Sequence, residues 1–544
     1  MMVLLSRTPL IRAILSFAIL GLAMLLLPKL SHAQPSIQWQ KCFGSISDDY
    51  FFSIIQTRDG GYAACGYSLS NDLPRHHTGP NEDAYVVKMD ASGNLEWQKC
   101  YGGTQNEEAY QIIQTRDGGY AVAIRAESSD GDVPMNNGCG DAWIIVLDDT
   151  GAIEMSKVFG GPNEDAAEGI VEQADRSLVF AGYNRSATPE TGAHHGGASQ
   201  NDDGWVVKLN APNGAANWQR YLGGSARDFF QAIIPTRDGG FAVTGLTNST
   251  DGDVGGYPRQ DTFYNLWVCK LDNGGLIQWQ RQYGGSANDW GNCIIQTSDG
   301  GYAVGGMAMS DDFDVSGNHG SKDGWFLKLD SAGNIQWQRC FGGTLVDALW
   351  SIVQNRDGSY TICGLSNDTD AVGQHGGFDG WLMQVDSSGN LLWQQRLGGS
   401  GYEWLHCIIP TNDGGYMIAG HTSSNDGDVS GNHGGNDAWV LKLAPQAGVA
   451  STPLQRQNDF VLSAILNAEG SSAELHYSIP CDHSTVSIEV TNILGIPAQH
   501  INAVEQSTGD HATNIDLSKL FGGTYFVTVH ACGSIQTRAV QIIR

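Results

Sequence analysis

The stretch "SIIQTRDGGYAACGYS" at residues 53–68, followed by "DAYVVKMDASGNLEWQKCYG" at residues 83–102, decides the fold. It contains four short apolar runs bounded by Gly and Asp, a pattern that is typical of β-strands separated by turns. Asp59-Gly60 supplies the positive φ that a tight hairpin needs. The stretch therefore predicts one four-stranded antiparallel sheet.

This unit recurs along the chain at intervals of roughly sixty residues, which is the mark of a repeat architecture. Its Trp-Gln motif begins at Trp39, Trp97, Trp218, Trp279, Trp337 and Trp393, and Met155 stands in the missing place. A seventh unit ends at Leu443. Repeated four-stranded sheets close into a ring that leaves no long free edge. The sequence therefore predicts an all-β fold whose main domain, residues 34–445, is a seven-bladed β-propeller.

The first and last repeats predict how the ring closes. "IQWQKCF" at residues 37–43 is a fourth strand without its first three, and the last repeat stops at the third strand, "DAWVLKL" at residues 437–443. We therefore expect the N-terminal strand to complete the seventh blade as a latch, because an unpaired strand edge is a liability.

The N-terminal segment predicts export. Arg7 and Arg12 precede an apolar run over residues 13–27, and Ser31-His32-Ala33 offers the small residues of a cleavage site, so that residues 1–33 form a signal peptide. A membrane anchor is the alternative, but the run is shorter than the ~20 residues that span a bilayer.

After a polar linker at residues 446–457, the strand-like segments of residues 458–544 predict a small β-sandwich. "VSIEVTNILG" at residues 486–495 and "IDLSKLFGGTYFVTV" at residues 515–529 resemble the C-terminal sorting domain of the type IX secretion system, although its Tyr-Pro-Asn-Pro opening is missing here. The resemblance implies that the type IX machinery is a partner, and that the protein is secreted or held on the outer-membrane surface of a Gram-negative bacterium.

A second resemblance concerns the turn before each fourth strand. Asp-x-x-Gly-x-x-x-Trp, as in Asp90, Gly93 and Trp97, resembles the tryptophan-docking motif of quinoprotein dehydrogenase propellers. It implies that the Trp packs between blades. Those enzymes have eight blades and a pair of adjacent cysteines; with seven repeats and no such pair here, we expect no quinone cofactor.

Charge limits the choice of ligand. The chain has 58 acidic and 30 basic residues and a formal net charge of −28. Nucleic acid is disfavoured, since binding to phosphate needs a basic face. Cations and neutral sugars fit better.

The loops between the second and third strands are candidate calcium sites, because closely spaced Asp side chains and backbone carbonyls can supply the oxygens that calcium requires. The alternative is that these side chains cap local backbone N–H groups. The candidate ligands are Asp130, Asp132 and Asp141; Asp312, Asp314 and Asp323; Asp368, Asp370 and Asp379; and Asp426, Asp428 and Asp437.

A more regular acidic feature precedes the first apolar run of every repeat. We predict that these seven carboxylates ring the channel mouth and, with Trp290 and Trp404, bind a ligand; the alternative is that each caps a turn of its own blade. The seven are Asp49, Glu107, Asp165, Asp228, Asp289, Asp347 and Glu403.

Two function classes stay open. The first is a non-catalytic binding or adhesion scaffold for glycan, protein or matrix outside the cell, with calcium as a candidate stabilising ion. The second is a secreted glycoside hydrolase or lyase that uses acids of the ring. The near-identity of the repeats and the absence of motifs such as Gly-x-Ser-x-Gly or His-Glu-x-x-His favour the first.

Overall fold

The computed structural model describes two compact units, Met1–Ala450 and Ser451–Arg544. The described residues are 34–73, 81–186, 195, 202–210, 213–255, 263–368 and 373–445 in the first unit, and 463–466, 472–479, 484–492, 497–506, 509–517, 520, 523–531 and 534–542 in the second. The predicted signal peptide and linker lie outside these residues.

The first unit consists of seven four-stranded antiparallel sheets, which we number as blades in chain order. The chain begins with β1 (Ile37–Phe43), and blade 1 contains β2 (Asp49–Gln56), β3 (Tyr62–Ser68), β4 (Asp83–Met89) and β5 (Leu95–Tyr101). Blade 2 contains β6 (Glu107–Gln114), β7 (Tyr120–Ala126), β8 (Asp141–Leu147) and β9 (Ile153–Phe159). Blade 3 contains β10 (Asp165–Glu172), β11 (Leu178–Asn184), β12 (Asp203–Leu209) and β13 (Ala216–Leu222). Blade 4 contains β14 (Asp228–Pro235), β15 (Phe241–Thr247), β16 (Asn265–Leu271) and β17 (Ile277–Tyr283). Blade 5 contains β18 (Asp289–Gln296), β19 (Tyr302–Ala308), β20 (Asp323–Leu329) and β21 (Ile335–Phe341). Blade 6 contains β22 (Asp347–Gln354), β23 (Tyr360–Ser366), β24 (Asp379–Val385) and β25 (Leu391–Leu397). Blade 7 contains β26 (Glu403–Pro410), β27 (Tyr416–Thr422) and β28 (Asp437–Leu443), with β1 as its fourth strand.

The sheets stand in a closed ring. The first strand of each blade contacts the first strands of both neighbouring blades, and β2 of blade 1 contacts β26 of blade 7. The first strands therefore surround the central channel. The seven-bladed propeller predicted from the sequence is confirmed.

The predicted latch is also present. β1 pairs antiparallel with β28, with Trp39 opposite Lys442 and Cys42 opposite Trp439. The Gln40 side chain accepts a hydrogen bond from Nε1 of Trp439 at 2.8 Å. The N-terminal strand thus completes the sheet formed by the last repeat.

The first strands begin earlier than their apolar runs indicate. β2 starts at Asp49 rather than at Ser53, and its register shifts at a β-bulge between Phe51 and Ser53. The bulge interrupts the alternation that identifies a strand. Each predicted ring acid is therefore the first residue of a strand rather than part of the connection before it.

Tryptophan side chains join neighbouring blades. The ring of Trp97 in blade 1 lies edge-on to Tyr120 of blade 2, with centroids 5.9 Å apart. A Cβ at Gly151 of blade 2 would lie only 3.0 Å from that ring, which explains the glycine of the motif. The packing implied by the tryptophan-docking resemblance is thus present at this joint.

The second unit contains two antiparallel sheets. One consists of β29 (Ser463–Leu466), β30 (Ser472–Ile479) and β33 (Gly509–Asp516), and the other of β31 (Ser484–Asn492), β32 (Pro497–Gln506), β34 (Gly523–Ala531) and β35 (Ser534–Ile542). Alternating residues such as Val486, Ile488 and Val490 are buried, as expected for a sandwich core.

No helix in the described part of the chain is long and apolar enough to cross a membrane. The nine described cysteines are free thiols. Cys481 and Cys532, the other two of the eleven cysteines, lie outside the described residues.

Candidate ligand site at the channel mouth

The seven predicted ring acids are fully buried at the starts of the first strands. Asp228 shows their surroundings: it accepts hydrogen bonds from the Gly224 backbone N–H at 2.7 Å, from Ser249 Oγ at 2.7 Å and from the Thr247 hydroxyl. Burial nevertheless raises its pKa to about 7. Each acid thus binds turns next to its strand and offers no exposed oxygen to a ligand.

Several ring acids also lie close to an acid of the neighbouring blade. A Cβ at Gly160 would stand 2.1 Å from Asp141 Oδ1 and 2.8 Å from Asp165 Oδ2, so a glycine is needed between these two carboxyls. Burial and the charge of Asp165 raise the pKa of Asp141 to about 7. Such a pair can share a proton across the blade joint.

Several predicted calcium ligands accept hydrogen bonds from the backbone. Asp130 accepts a hydrogen bond from the backbone N–H of Thr104 at 2.8 Å, and Asp426 accepts one from Ser400 at 2.7 Å. Among the residues that the structure describes, no three His, Cys, Asp or Glu side chains form a group that could hold a metal ion. Asp370 lies outside the described residues. Calcium binding by these loops stays a prediction.

A different set of side chains lines the channel beside the ring acids. It consists of the second residue of each first strand and the residue opposite it in the second strand, and we call this set the channel mouth. The pairs are Tyr50 and Tyr67, Glu108 and Arg125, Ala166 and Tyr183, Phe229 and Leu246, Trp290 and Met307, Ala348 and Leu365, and Trp404 and His421. The backbone repeats seven times, but these side chains do not.

Blades 1 to 3 carry an acidic cluster around one arginine. The guanidinium of Arg125 lies 2.7 Å from Glu127, 3.2 Å from Glu164 and 3.6 Å from Glu108. The hydroxyl of Tyr110, deeper in the channel, donates to Glu108 at 2.5 Å. Arg185 also lies 3.2 Å from Glu164, so Arg125 shares this carboxylate with a second cation.

Two further glutamates join this acidic cluster and hold their protons unusually tightly. Burial raises the pKa of Glu168 to about 8, with the charge of Glu108 as the next cause. Burial followed by the charge of Glu108 raises the pKa of Glu82 to about 7. Gln231 donates a hydrogen bond to Glu168 at 3.0 Å. Glu168 therefore keeps its proton at neutral pH inside this acidic cluster.

The opposite part of the channel mouth is apolar and aromatic. Met307, Ala348 and Leu365 form a small buried cluster against which Trp290 and Trp404 pack. Both tryptophans are partly exposed to the channel. The structure thus places the two predicted aromatic residues together in one apolar sector. Their surroundings differ from the polar surroundings of the ring acids with which the sequence analysis grouped them.

A pair of histidines lies between the two sectors. Nε2 of His406 is 3.3 Å from Nδ1 of His421, and His421 packs against Tyr50 of blade 1 with centroids 4.2 Å apart. The crowded channel lowers the pKa of His406 to about 4 by desolvation, and that of His421 is lowered for the same reason. Both rings are therefore neutral at physiological pH.

The sequence contains the signal for this site. The residue directly after each ring acid is Tyr50, Glu108, Ala166, Phe229, Trp290, Ala348 or Trp404. The residue at this position varies from charged to aromatic while the residue before it stays acidic. Such variation indicates a role other than stabilising each blade. The sequence-based prediction named two of these residues, Trp290 and Trp404, but not the position as a whole.

No protein-family model matches the chain, and no curated protein matches it either. Solved propellers resemble it weakly. The WD40 domain of Neurospora crassa Pan2 is 9% identical with a TM-score of 0.39, covering 76% of this chain and 96% of that one. Sqt1 from Chaetomium thermophilum is 11% identical with a TM-score of 0.39, covering 76% and 100%. A glucose dehydrogenase is 11% identical with a TM-score of 0.35, covering 75% and 100%. Nothing about ligand or activity follows from such weak likenesses.

Proposed function

We propose that this protein is an extracellular, non-catalytic binding propeller that holds a glycan at the channel mouth. The observation that carries the proposal is the division of the mouth into an acidic cluster on blades 1 to 3 and an aromatic sector on blades 5 to 7. Sites for small ligands combine apolar and aromatic walls with a few convergent polar groups. Ionised carboxylates accept hydrogen bonds from hydroxyl groups, which sugars present in number.

A glycan array with the purified protein tests the proposal. Trp404→Ala should lower the affinity for any glycan that binds by tenfold or more, and so should Glu108→Gln. Trp218→Phe alters a tryptophan at a blade joint instead of the channel and serves as the matched control. Equal binding by all three variants would contradict the proposed site, and an array without any bound glycan would contradict the proposed ligand class.

A second candidate function is cleavage of polysaccharide. It is favoured by Glu168 and Glu82, whose raised pKa values suit a general acid within the acidic cluster. Under this hypothesis, Glu168→Gln abolishes hydrolysis of a polysaccharide panel while the melting temperature is kept. An inactive wild-type protein on that panel would leave binding as the function.

The proposed location rests on the sequence. We propose that residues 458–544 direct the protein through the type IX machinery to the outside of the cell. Deletion of this segment should leave the propeller inside the producing bacterium, as measured by fractionation and immunoblotting. Unchanged export would remove the sorting role.

A further inference from the structure

The joint between blades 2 and 3 holds a solvent-connected cavity of about 260 Å³. Its lining includes Val146, Met155, Arg176 and Leu178, and Asp117 and Glu154 lie at its edge. Cavities smaller than this admit a benzene ring in other proteins. The lining is also where this joint departs from the repeat.

The first departure is a pair of residues on the last two strands of blade 2. At five blades a Lys on the third strand lies opposite a Trp on the fourth: Lys88 and Trp97, Lys208 and Trp218, Lys270 and Trp279, Lys328 and Trp337, and Lys442 and Trp39. In blade 2 the same pair is Val146 and Met155. Directly opposed residues lie close on one face of a sheet. Blade 2 therefore lacks both the indole ring and the neighbouring ammonium group that five other blades have at this position.

Smaller aliphatic side chains line the place that the missing ring would occupy. Met155 points at Gly214 of blade 3, as Trp97 points at Gly151 of blade 2. The aromatic side chain that a docked tryptophan meets, such as Tyr120, is replaced by Leu178. Two large rings are thus replaced by two aliphatic chains.

The missing ammonium leaves its two acceptors in place. In blade 1, Nζ of Lys88 lies 2.8 Å from both Asp59 and Glu96. Asp117 and Glu154 occupy the equivalent positions in blade 2, where the uncharged Val146 takes the place of the lysine. Asp117 has instead a distant ion pair with Arg176 of blade 3, at 3.8 Å between two exposed groups.

A strained residue borders the same cavity. Arg176 has a φ of +66°, at the hairpin position where the other blades have a glycine such as Gly60. Non-glycine residues adopt this conformation at a cost, and such residues cluster at functional sites. Here the side chain that replaces the glycine lines the cavity.

From these contacts we infer that the joint between blades 2 and 3 is a second binding site, which takes an aromatic ring bearing an alkylammonium group. The ring occupies the space of the absent indole against Met155 and Leu178. The ammonium lies between Asp117 and Glu154, where Lys88 lies in blade 1. The site is separate from the channel mouth and does not depend on its proposed function.

Isothermal titration of the purified protein with tryptamine tests the inference. One molecule should bind per chain at submillimolar concentration. Indole, which lacks the ammonium, and indole-3-propionate, which carries the opposite charge, should bind at least fivefold more weakly. Absence of tryptamine binding up to several millimolar, or equal binding of the propionate, would overturn the proposal.

Variants of the wild-type pair locate the site. Met155→Trp fills the ring position and Val146→Lys supplies the ammonium, so each should weaken tryptamine binding at least tenfold. Because either Met155→Trp or Val146→Lys could fail to fold, both are made, and the melting temperature of each shows whether it is folded. Leu276→Trp adds a tryptophan at an exposed position of blade 4 and should leave binding unchanged. Wild-type affinity in both Met155→Trp and Val146→Lys would place tryptamine elsewhere.

Discussion

Glu168 provides a direct test of the electrostatics at the channel mouth. Its side chain is 7% exposed, and burial raises its pKa from an ordinary value of 4.5 to about 8. Between these two pH values the folded protein binds a proton that the unfolded chain has released. Stability therefore falls as the pH rises through this window. Glu168→Gln keeps the shape of the protonated side chain, and so it should abolish this part of the pH dependence.

The magnitude follows from the size of the shift. Each pH unit corresponds to about 1.4 kcal/mol, which gives an upper limit of about 5 kcal/mol for Glu168 alone. The charge of Arg125 and the hydrogen bond from Gln231 offset part of the cost of the buried charge. We therefore expect Glu168→Gln to raise the free energy of unfolding by about 2 kcal/mol at pH 8.5 and to leave it nearly unchanged at pH 5.

Urea denaturation at pH 5, 7 and 8.5, followed by tryptophan fluorescence, measures this difference. Glu154→Gln removes an exposed carboxylate and should alter the free energy of unfolding by no more than about 0.5 kcal/mol. A difference between Glu168→Gln and wild type that is the same at pH 5 and pH 8.5 would refute the assignment of a proton-holding carboxyl to the acidic cluster.

Three further predictions concern the ring and its loops. Deletion of residues 34–43 should lower the melting temperature, because β28 then has a free edge; added peptide of residues 34–43 should restore it, and an unchanged melting curve would show that the latch is dispensable. Arg176→Gly should raise the free energy of unfolding by about 1 kcal/mol by relieving the positive φ, as measured by urea denaturation, whereas destabilisation would mean that the contacts of Arg176 outweigh its strain. Chelator should lower the melting temperature if the predicted loops bind calcium, because calcium at 100 times its Kd stabilises a binding protein by about 2.7 kcal/mol; an unchanged melting temperature would leave carboxylates such as Asp130 with backbone capping as their role.

The propeller could be predicted from the sequence because its signals are local and repeated. Asp59-Gly60 and its counterparts mark the hairpins, and the unmatched strand at residues 37–43 identifies the latch. The beginning of each first strand could not be placed, because the bulge at Phe51 breaks the alternation. The repeats alone could not separate the two roles that the structure shows: the constant acids bind turns of the blades, and the variable residues after them, Trp290 and Trp404 among them, form the mouth.

The site at the blade 2 and 3 joint was beyond the sequence for a different reason. Met155 is visible as a substitution in the Trp-Gln motif, but a single substitution predicts only looser packing. Val146 and Arg176 indicate a site only when the structure shows their neighbours. Val146 lies opposite Met155 in the sheet, and Arg176 of the next blade lies beside Asp117. Such coincidences depend on pairing across strands and blades.

The latch also sets the order of events during synthesis. β1 is the first strand of the body to leave the ribosome, and its partner, β28, is the last. Six blades can acquire their four strands in succession, but the circle cannot be sealed until about four hundred further residues have been made. Until then the newborn chain has one unpaired strand at its head and an incomplete sheet at its tail.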